Sequence, residues 1–171
     1  SPALRIIGKY EPTLAGRDVA ILVTDGADGR VVKRLRKAIT AEGARVKIVA
    51  PRIGGVILAG GEVLPADGQL AGTPSVLVDA IALAVSAEGC AKLLGESAAV
   101  GFVADAFAHL KAIAFTPEAM PLLEKAGVIA DVQGFLRAEV EGAEGVVENG
   151  GIRFAGPCIG GRNDEIKGRS E

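Results

Sequence analysis

The stretch Lys111-Ala112-Ile113-Ala114-Phe115-Thr116-Pro117-Glu118-Ala119 decides the fold. Ile113 to Phe115 reads as a buried strand that runs straight into a helix over 117–126, with Leu122 and Leu123 on its apolar side and Ala126-Gly127 closing it. A short continuous apolar run is the mark of a parallel strand covered on both faces. The same signature stands at Val19-Ala20-Ile21-Leu22-Val23, followed by the turn Thr24 to Gly29. Beyond that turn Val31, Val32, Leu35, Ala38 and Ile39 fall on one helical stripe, with Arg and Lys opposite. Gly43 ends that helix as a cap. Val46, Ile48 and Ala50 then alternate with Arg45 and Lys47 in a second strand, stopped by Pro51. Strands alternating with helices predict a right-handed, mostly parallel α/β sheet flanked by helices.

The remaining segments fill in that plan. Gly55 to Leu58 and Glu62 to Leu64, joined by Ala59-Gly60-Gly61, predict a small inserted β-hairpin. Pro65 to Pro74 reads as loop, Val76 to Val78 as a short strand, and Ala80 to Val85 as a buried one. Ser97 to Leu110 is expected to be helical, with Val100, Val103, Ala104 and Phe107 on one face. Val128-Ile129 and Gly145 to Val147 are further short strands. Residues 1–16 read as a linker whose Leu4, Ile6 and Ile7 are free to dock on a neighbouring surface, 17–148 as the α/β domain, and 149–171 as a Gly-rich, irregular tail. The chain opens at Ser1-Pro2 without an initiator methionine, as expected of a processed protein or a piece of something longer.

Composition narrows the function classes. At 171 residues and 49% hydrophobic content the chain can bury a real core, and with 4% aromatics that core is built from Ala, Val, Leu and Ile. A formal net charge of -2 gives no electrostatic reason to expect nucleic acid or an acidic membrane surface. Arg30, Lys33, Arg34, Arg36 and Lys37 therefore read as the solvated face of a helix. No apolar run approaches the roughly 18 residues of a membrane span. Cys90 and Cys158 are too few for a disulfide framework, so a reducing cytoplasm is the expected compartment.

Candidate chemistry is sparse. A strand-to-helix turn is where hydrolytic α/β folds present a strained Cys or Ser, and here the turn carries Pro117, which has no nucleophilic side chain. Capping alone accounts for its neighbours: Thr116 suits an N-cap, Pro117 the first helical position and Glu118 the positive end of the helix dipole. Asp25 and Asp28 follow the first strand, where open α/β sheets place their ligand crevice, and a helix N-cap with a turn is the plainer reading. Gly26 and Gly29 alone do not make a phosphate-binding loop, so no nucleotide or flavin module is recognised. His109, the one histidine, reads as a surface residue near a helix C-terminus. Cys90 is either a small buried hydrophobe or a reactive thiol. Tyr10, the one tyrosine, falls in the linker.

The strand-turn-helix order resembles the glutamine-amidotransferase-like, intracellular-protease superfamily, with its pattern G-K-P-V-A-x-I-C-H-G-P. Aligned back from Ala126-Gly127, Lys111 meets that pattern's Lys and Ala119 its second Gly, while Pro117 stands for the Cys and Glu118 for the His. The acid that follows the first strand falls on Asp28, and the Pro-Gly-Gly oxyanion loop falls near Val85-Ser86-Ala87. Ser1 to Leu4, Arg17 to Val23, Gly72-Thr73-Pro74-Ser75-Val76-Leu77-Val78-Asp79-Ala80 and Ala106-Phe107-Ala108-His109-Leu110-Lys111-Ala112-Ile113-Ala114 resemble more closely the C-terminal domain of large-subunit haem catalases. That resemblance covers roughly residues 1–148, and its most specific parts are Thr-Pro-Ser-Val-x-Val-Asp-Ala and His-Leu-Lys-x-Ile-Ala. The last helix common in that family is not reproduced after Asn149.

The resemblance implies a flavodoxin-like (class I glutamine-amidotransferase-like) fold that lacks the Cys-His pair, with Asp28, Pro117 and Glu118 as vestigial site positions. It implies an accessory domain of a catalase that decomposes hydrogen peroxide. The haem would be held elsewhere in the parent, with no cofactor or metal in this domain. Implied partners are the catalase core and its oligomer, with unfolded client proteins as further ones. A cysteine-dependent peptidase, amidase or deglycase using Cys90 is the alternative.

Overall fold

In the computed structural model, which describes residues 14–128 and the backbone of Arg153–Ala155, the chain begins with β1 (Asp18–Val23), α1 (Gly29–Ala41) and β2 (Arg45–Ala50). A hairpin of β3 (Val56–Ile57) and β4 (Val63–Leu64) follows, then β5 (Gly68–Gln69) and two 3-10 turns at Leu70–Gly72 and Ser75–Leu77. Next come β6 (Ala80–Ala84), α2 (Ala87–Leu93), α3 (Ser97–Ala108) and β7 (Ala112–Phe115). A 3-10 turn at Pro117–Ala119 runs into α4 (Met120–Lys125), and β8 (Arg153–Ala155) comes last.

The main sheet has the order β5-β2-β1-β6-β7-β8. Its pairs are parallel except the last, where β8 runs antiparallel to β7. The order reverses between β1 and β6, which creates a topological switch point at their carboxyl ends. The hairpin is a separate two-stranded sheet with Ile57 opposite Val63.

Strand alternation divides the core between the two faces. Ala20, Leu22, Ile81, Leu83, Ile113 and Phe115 pack with Leu93, Phe102, Val103 and Leu122 from α2, α3 and α4. Ile21, Val23, Ala82, Ala84 and Ala114 pack with Val32 and Leu35 of α1 and with Val56 and Leu58 of the hairpin segment. Burying each large aliphatic side chain stabilises the fold by about 1.5–3 kcal/mol. The buried strands thus account for their own apolar runs.

Several expected elements differ. Val76 to Val78 is not a strand: Pro74 fixes the entry and Val78 N–H donates to the Ser75 carbonyl, giving a 3-10 turn. The loop over Pro65 to Pro74 contains the short parallel strand β5. Helix α2 lies in a stretch for which the sequence predicts no element, and Ser86 Oγ caps it by accepting from Gly89 N–H. In α1 Val32 and Leu35 are buried, Val31 and Ile39 are partly so, and Ala38 faces solvent. The buried residues of α3 are Ala99, Phe102, Val103 and Ala106, while Val100 and Phe107 are partly buried against the same core, because a helix this rich in alanine has no sharp polar side to set its rotation. Within the stretch expected to be an irregular tail, Arg153–Ala155 forms an edge strand. The linker reading of 1–13, the strand residue Ile129 and Gly145 to Val147 lie outside the described residues.

Helices α1 and α3 both end in a left-handed residue. Gly43, with φ 77°, closes α1 in the left-handed region that glycine favours. At the end of α3 the same role falls to Leu110, with φ 55°. Leu110 N–H donates to the Phe107 carbonyl and Lys111 N–H to the Ala106 carbonyl, both at 2.9 Å. A leucine there costs about 1–2 kcal/mol in backbone energy. It is also 60% exposed, so core packing does not return that cost.

Candidate functional site

A cleft of about 450 Å³ opens at the carboxyl edge of the sheet, at the switch point. Three strand ends build it: Gly26 and Asp28 after β1, Val85, Ser86 and Ala87 after β6, and Thr116, Pro117 and Glu118 after β7. The fold therefore brings together all three residues expected at a vestigial site, Asp28, Pro117 and Glu118.

Each is held by local chemistry. Asp28 Oδ1 accepts from Arg30 N–H at 2.8 Å and caps α1. The Arg30 guanidinium, 3.1 Å from Asp28 Oδ2, holds that carboxyl below its ordinary pKa. Pro117 begins its turn at the first position, where a missing N–H leaves nothing unsatisfied. Thr116 departs from expectation. Its carbonyl, not its hydroxyl, accepts from Ala119 N–H, so the side chain makes no cap. Its Oγ1 is buried without a hydrogen-bond partner among the described residues.

In the loop expected to hold an oxyanion, both polar groups of Ser86 are committed elsewhere. Ser86 N–H donates to Thr24 Oγ1 at 2.9 Å, and Ser86 Oγ accepts from Gly89 N–H. Pro117 has no amide hydrogen to offer. Acyl-transfer chemistry needs preorganised donors aimed at the developing charge, alongside a nucleophile and a base. The described cleft residues include no cysteine or histidine, and Glu118 is solvent-exposed.

The other candidates lie outside the cleft. His109 is the C-cap of α3, at the opposite edge of the sheet from Pro117. Lys111 Nζ donates to the Ser75 and Val78 carbonyls at that same far edge. Cys90 is 1% exposed within α2, and burial pushes its thiol pKa up. Alkylating reagents are accordingly expected to leave Cys90 unmodified in native protein at neutral pH and to modify it after denaturation. Rapid native labelling, read on the Cys90 peptide by mass spectrometry, would contradict this geometry. Tyr10 and Cys158 lie outside the described residues.

The sequence did not point to Asp25 as an anchor, yet it ties the hairpin to the cleft. Its Oδ1 accepts from Ile57 N–H at 2.8 Å and its Oδ2 from the Arg52 guanidinium at 2.8 Å. The Ile57 amide is the main cause of its lowered pKa, with Arg52 adding to it. Because the folded pKa is depressed, the associated stability is present above about pH 4 and is lost as pH falls through the folded value. Asp18, Asp28 and Glu88 shift in the same direction. Amide exchange at Ile57 is thus expected to accelerate below about pH 4 beyond its intrinsic acid dependence. In Asp25→Asn that extra acceleration should be absent.

Comparison with known proteins assigns the family. A family model for the C-terminal domain found in long catalases matches residues 15–150. The chain belongs to that family. Catalase C of Rhizobium meliloti is 44% identical over 128 residues, which is 75% of this chain and 18% of that protein. Catalase-1 of Neurospora crassa is 35% identical over 136 residues, 80% of this chain and 18% of that protein. The domain thus spans under a fifth of the length of these relatives. Among solved structures, a two-domain protein from Anabaena variabilis with DJ-1/ThiJ/PfpI-like and ferritin-like domains aligns with TM-score 0.60 at 18% identity, over 71% of this chain and 39% of that one. A DJ-1 superfamily protein from Salmonella typhimurium aligns with TM-score 0.58 at 24% identity, over 65% of this chain and 61% of that one. These likenesses establish the fold: an α/β, flavodoxin-like sheet of the glutamine-amidotransferase kind with a small antiparallel hairpin.

Membership of the catalase family raises the question of haem. Haem iron takes an axial His, Cys, Met or Tyr facing an open pocket. The cleft lining has none of these, Cys90 is enclosed in the core, Met120 packs partly buried against that core, and His109 sits on the surface at the far edge. The described residues do not fit haem. Nor do they contain a group of three His, Cys, Asp or Glu able to hold a metal ion. No described helix is long and apolar enough to cross a membrane.

Proposed function

We propose that this domain is the catalytically silent accessory part of a large haem catalase, whose hydrogen peroxide decomposition takes place at a haem held outside it. Its role is to stabilise the parent chain and its oligomer, in a reducing cytoplasm. One observation carries the reading: Pro117 occupies the turn where the fold would present a nucleophile, in a chain that belongs to the catalase C-terminal family. The commitment of Ser86 N–H to Thr24 supports it. Asp28, Pro117 and Glu118 are then remnants of a site. The buried Cys90 gives no support to a cysteine-dependent peptidase, amidase or deglycase. We also assign the domain a holding role for unfolding proteins, supported by exposed Ile53, Ile57 and Val63.

The test compares the intact gene product with a version lacking residues 17–148. The shortened protein is expected to keep its haem and its initial peroxide turnover, and to lose activity and oligomeric state at a lower temperature. Identical thermal behaviour of the two would remove the stabilising role. Amide hydrolysis or deglycation by the 171-residue chain would remove the catalytic silence. For the holding role, suppression of client aggregation should fall when Ile57→Asp and Val63→Asp are combined; no suppression at any ratio would dismiss it.

A further inference from the structure

The two segments that carry the closest family resemblance, residues 73–80 and 109–114, meet at one place. That place is the amino edge of the sheet, opposite the cleft. Lys111 Nζ ties them together by donating to the Ser75 carbonyl at 2.8 Å and the Val78 carbonyl at 2.6 Å. Three apolar side chains on these tied segments face solvent: Val76 at 47%, Leu77 at 63% and Leu110 at 60% exposure. Leu110 does so from a left-handed backbone that glycine would occupy without strain. Strain retained together with exposure directs attention to what the side chain touches outside this fold.

The chain also enters the domain here. Asp18 N–H donates to Asp79 Oδ2 and Asp79 N–H to the Asp18 carbonyl, both at 2.8 Å, and Arg17 lies 3.6 Å from Asp79. In a C-terminal domain the rest of the polypeptide arrives through this entry point. We infer that Val76, Leu77 and Leu110 form the surface on which the domain seats against the preceding catalase region of its own polypeptide. This rests on the accessory-domain reading above. Apolar residues closed off at the centre of an interface, with polar groups at its rim, suit such a junction, and Arg17, Asp79 and His109 supply the polar groups here. Ile57 and Val63 of the hairpin and Ile53 in the turn before it are as exposed but lie at the other edge, so they serve as an internal control.

The experiment places single cysteines in the intact gene product: Leu77→Cys, Leu110→Cys and, as control, Ile57→Cys. Alkylation is read by mass spectrometry on the peptide bearing each one. Cysteines at 77 and 110 are expected to react on the order of tenfold more slowly than the one at 57, the protection of a closed interface. Equal rates in a gene product that carries a catalase region overturn the inference and leave the accessory-domain reading standing. Absence of any catalase region from the gene product overturns that reading, and the inference with it. Protection that also appears in the 171-residue chain alone, and fades on dilution, would assign the surface to a second copy instead. Leu110→Gly gives a second measure that does not depend on cysteine chemistry. It relieves the left-handed strain, so folding is preserved, yet it should speed proteolytic release of the domain from the intact protein. Unchanged release would overturn the inference as well.

Discussion

Gly89→Ala is expected to destabilise the domain by about 3 kcal/mol or more, although glycine-to-alanine changes inside helices usually stabilise by close to 1 kcal/mol. A Cβ at position 89 would stand 2.0 Å from Thr24 Oγ1, 2.3 Å from Thr24 Cβ and 2.9 Å from Ser86 Oγ. A rotamer change could move the Thr24 hydroxyl but not its Cβ, which is fixed to the backbone leaving β1. Thr24 is buried and holds Ser86 N–H, so the two turns behind the cleft would separate. Clash outweighs propensity here. Gly101, in α3, supplies the contrast, since a Cβ there meets nothing within 4 Å. Gly101→Ala should therefore stabilise by about 0.5–1 kcal/mol. Urea unfolding of the two variants should move the midpoint in opposite directions; a Gly89→Ala protein as stable as the parent would refute the packing described for α2.

Phe115→Ala should cost about 3–5 kcal/mol, against a total domain stability of about 5–15 kcal/mol. Phe115 is 1% exposed and ends β7, on the face packed with α2, α3 and α4. The cluster around it combines Phe102 with branched aliphatics such as Leu83, Val103 and Leu122, which cannot collapse fully into the space left behind. The residue immediately precedes Thr116-Pro117, so the loss should also loosen the cleft rim. Amide exchange at Ala119, whose N–H bonds the Thr116 carbonyl, should rise together with the global destabilisation. A cost below about 1 kcal/mol would mean that the side chain is not a core element.

The parallel strands were legible because burial on both faces leaves no polar residue in Val19 to Val23 or in Ile113 to Phe115. The hairpin was legible from Ala59-Gly60-Gly61 between two short apolar runs. Helix α2 escaped notice because Gly89 interrupts its pattern. The available signals were Ser86 at the N-cap and the pair Glu88 and Lys92, four residues apart and 2.8 Å from each other in the fold. The rotation of α3 was beyond reach for a different reason: alanines around its circumference make every face acceptable until neighbours choose one. At the cleft, the resemblance to the amidotransferase-like pattern pointed to Pro117 and Glu118. The loss of the Ser86 amide to Thr24 joins residues 62 apart, and no local pattern encodes it.

The chain's own residues thus determined the strand-helix alternation, the small-residue core and the proline at the turn after β7, since each follows from local periodicity or from what a side chain lacks. Only the tertiary structure decided that Asp28, Pro117 and Glu118 share one cleft, that Asp25 anchors the hairpin, and that Leu110 and Leu77 stand together at the opposite edge. Those facts depend on which strand ends the crossover between β1 and β6 brings side by side, a long-range choice made by the packing of the whole sheet.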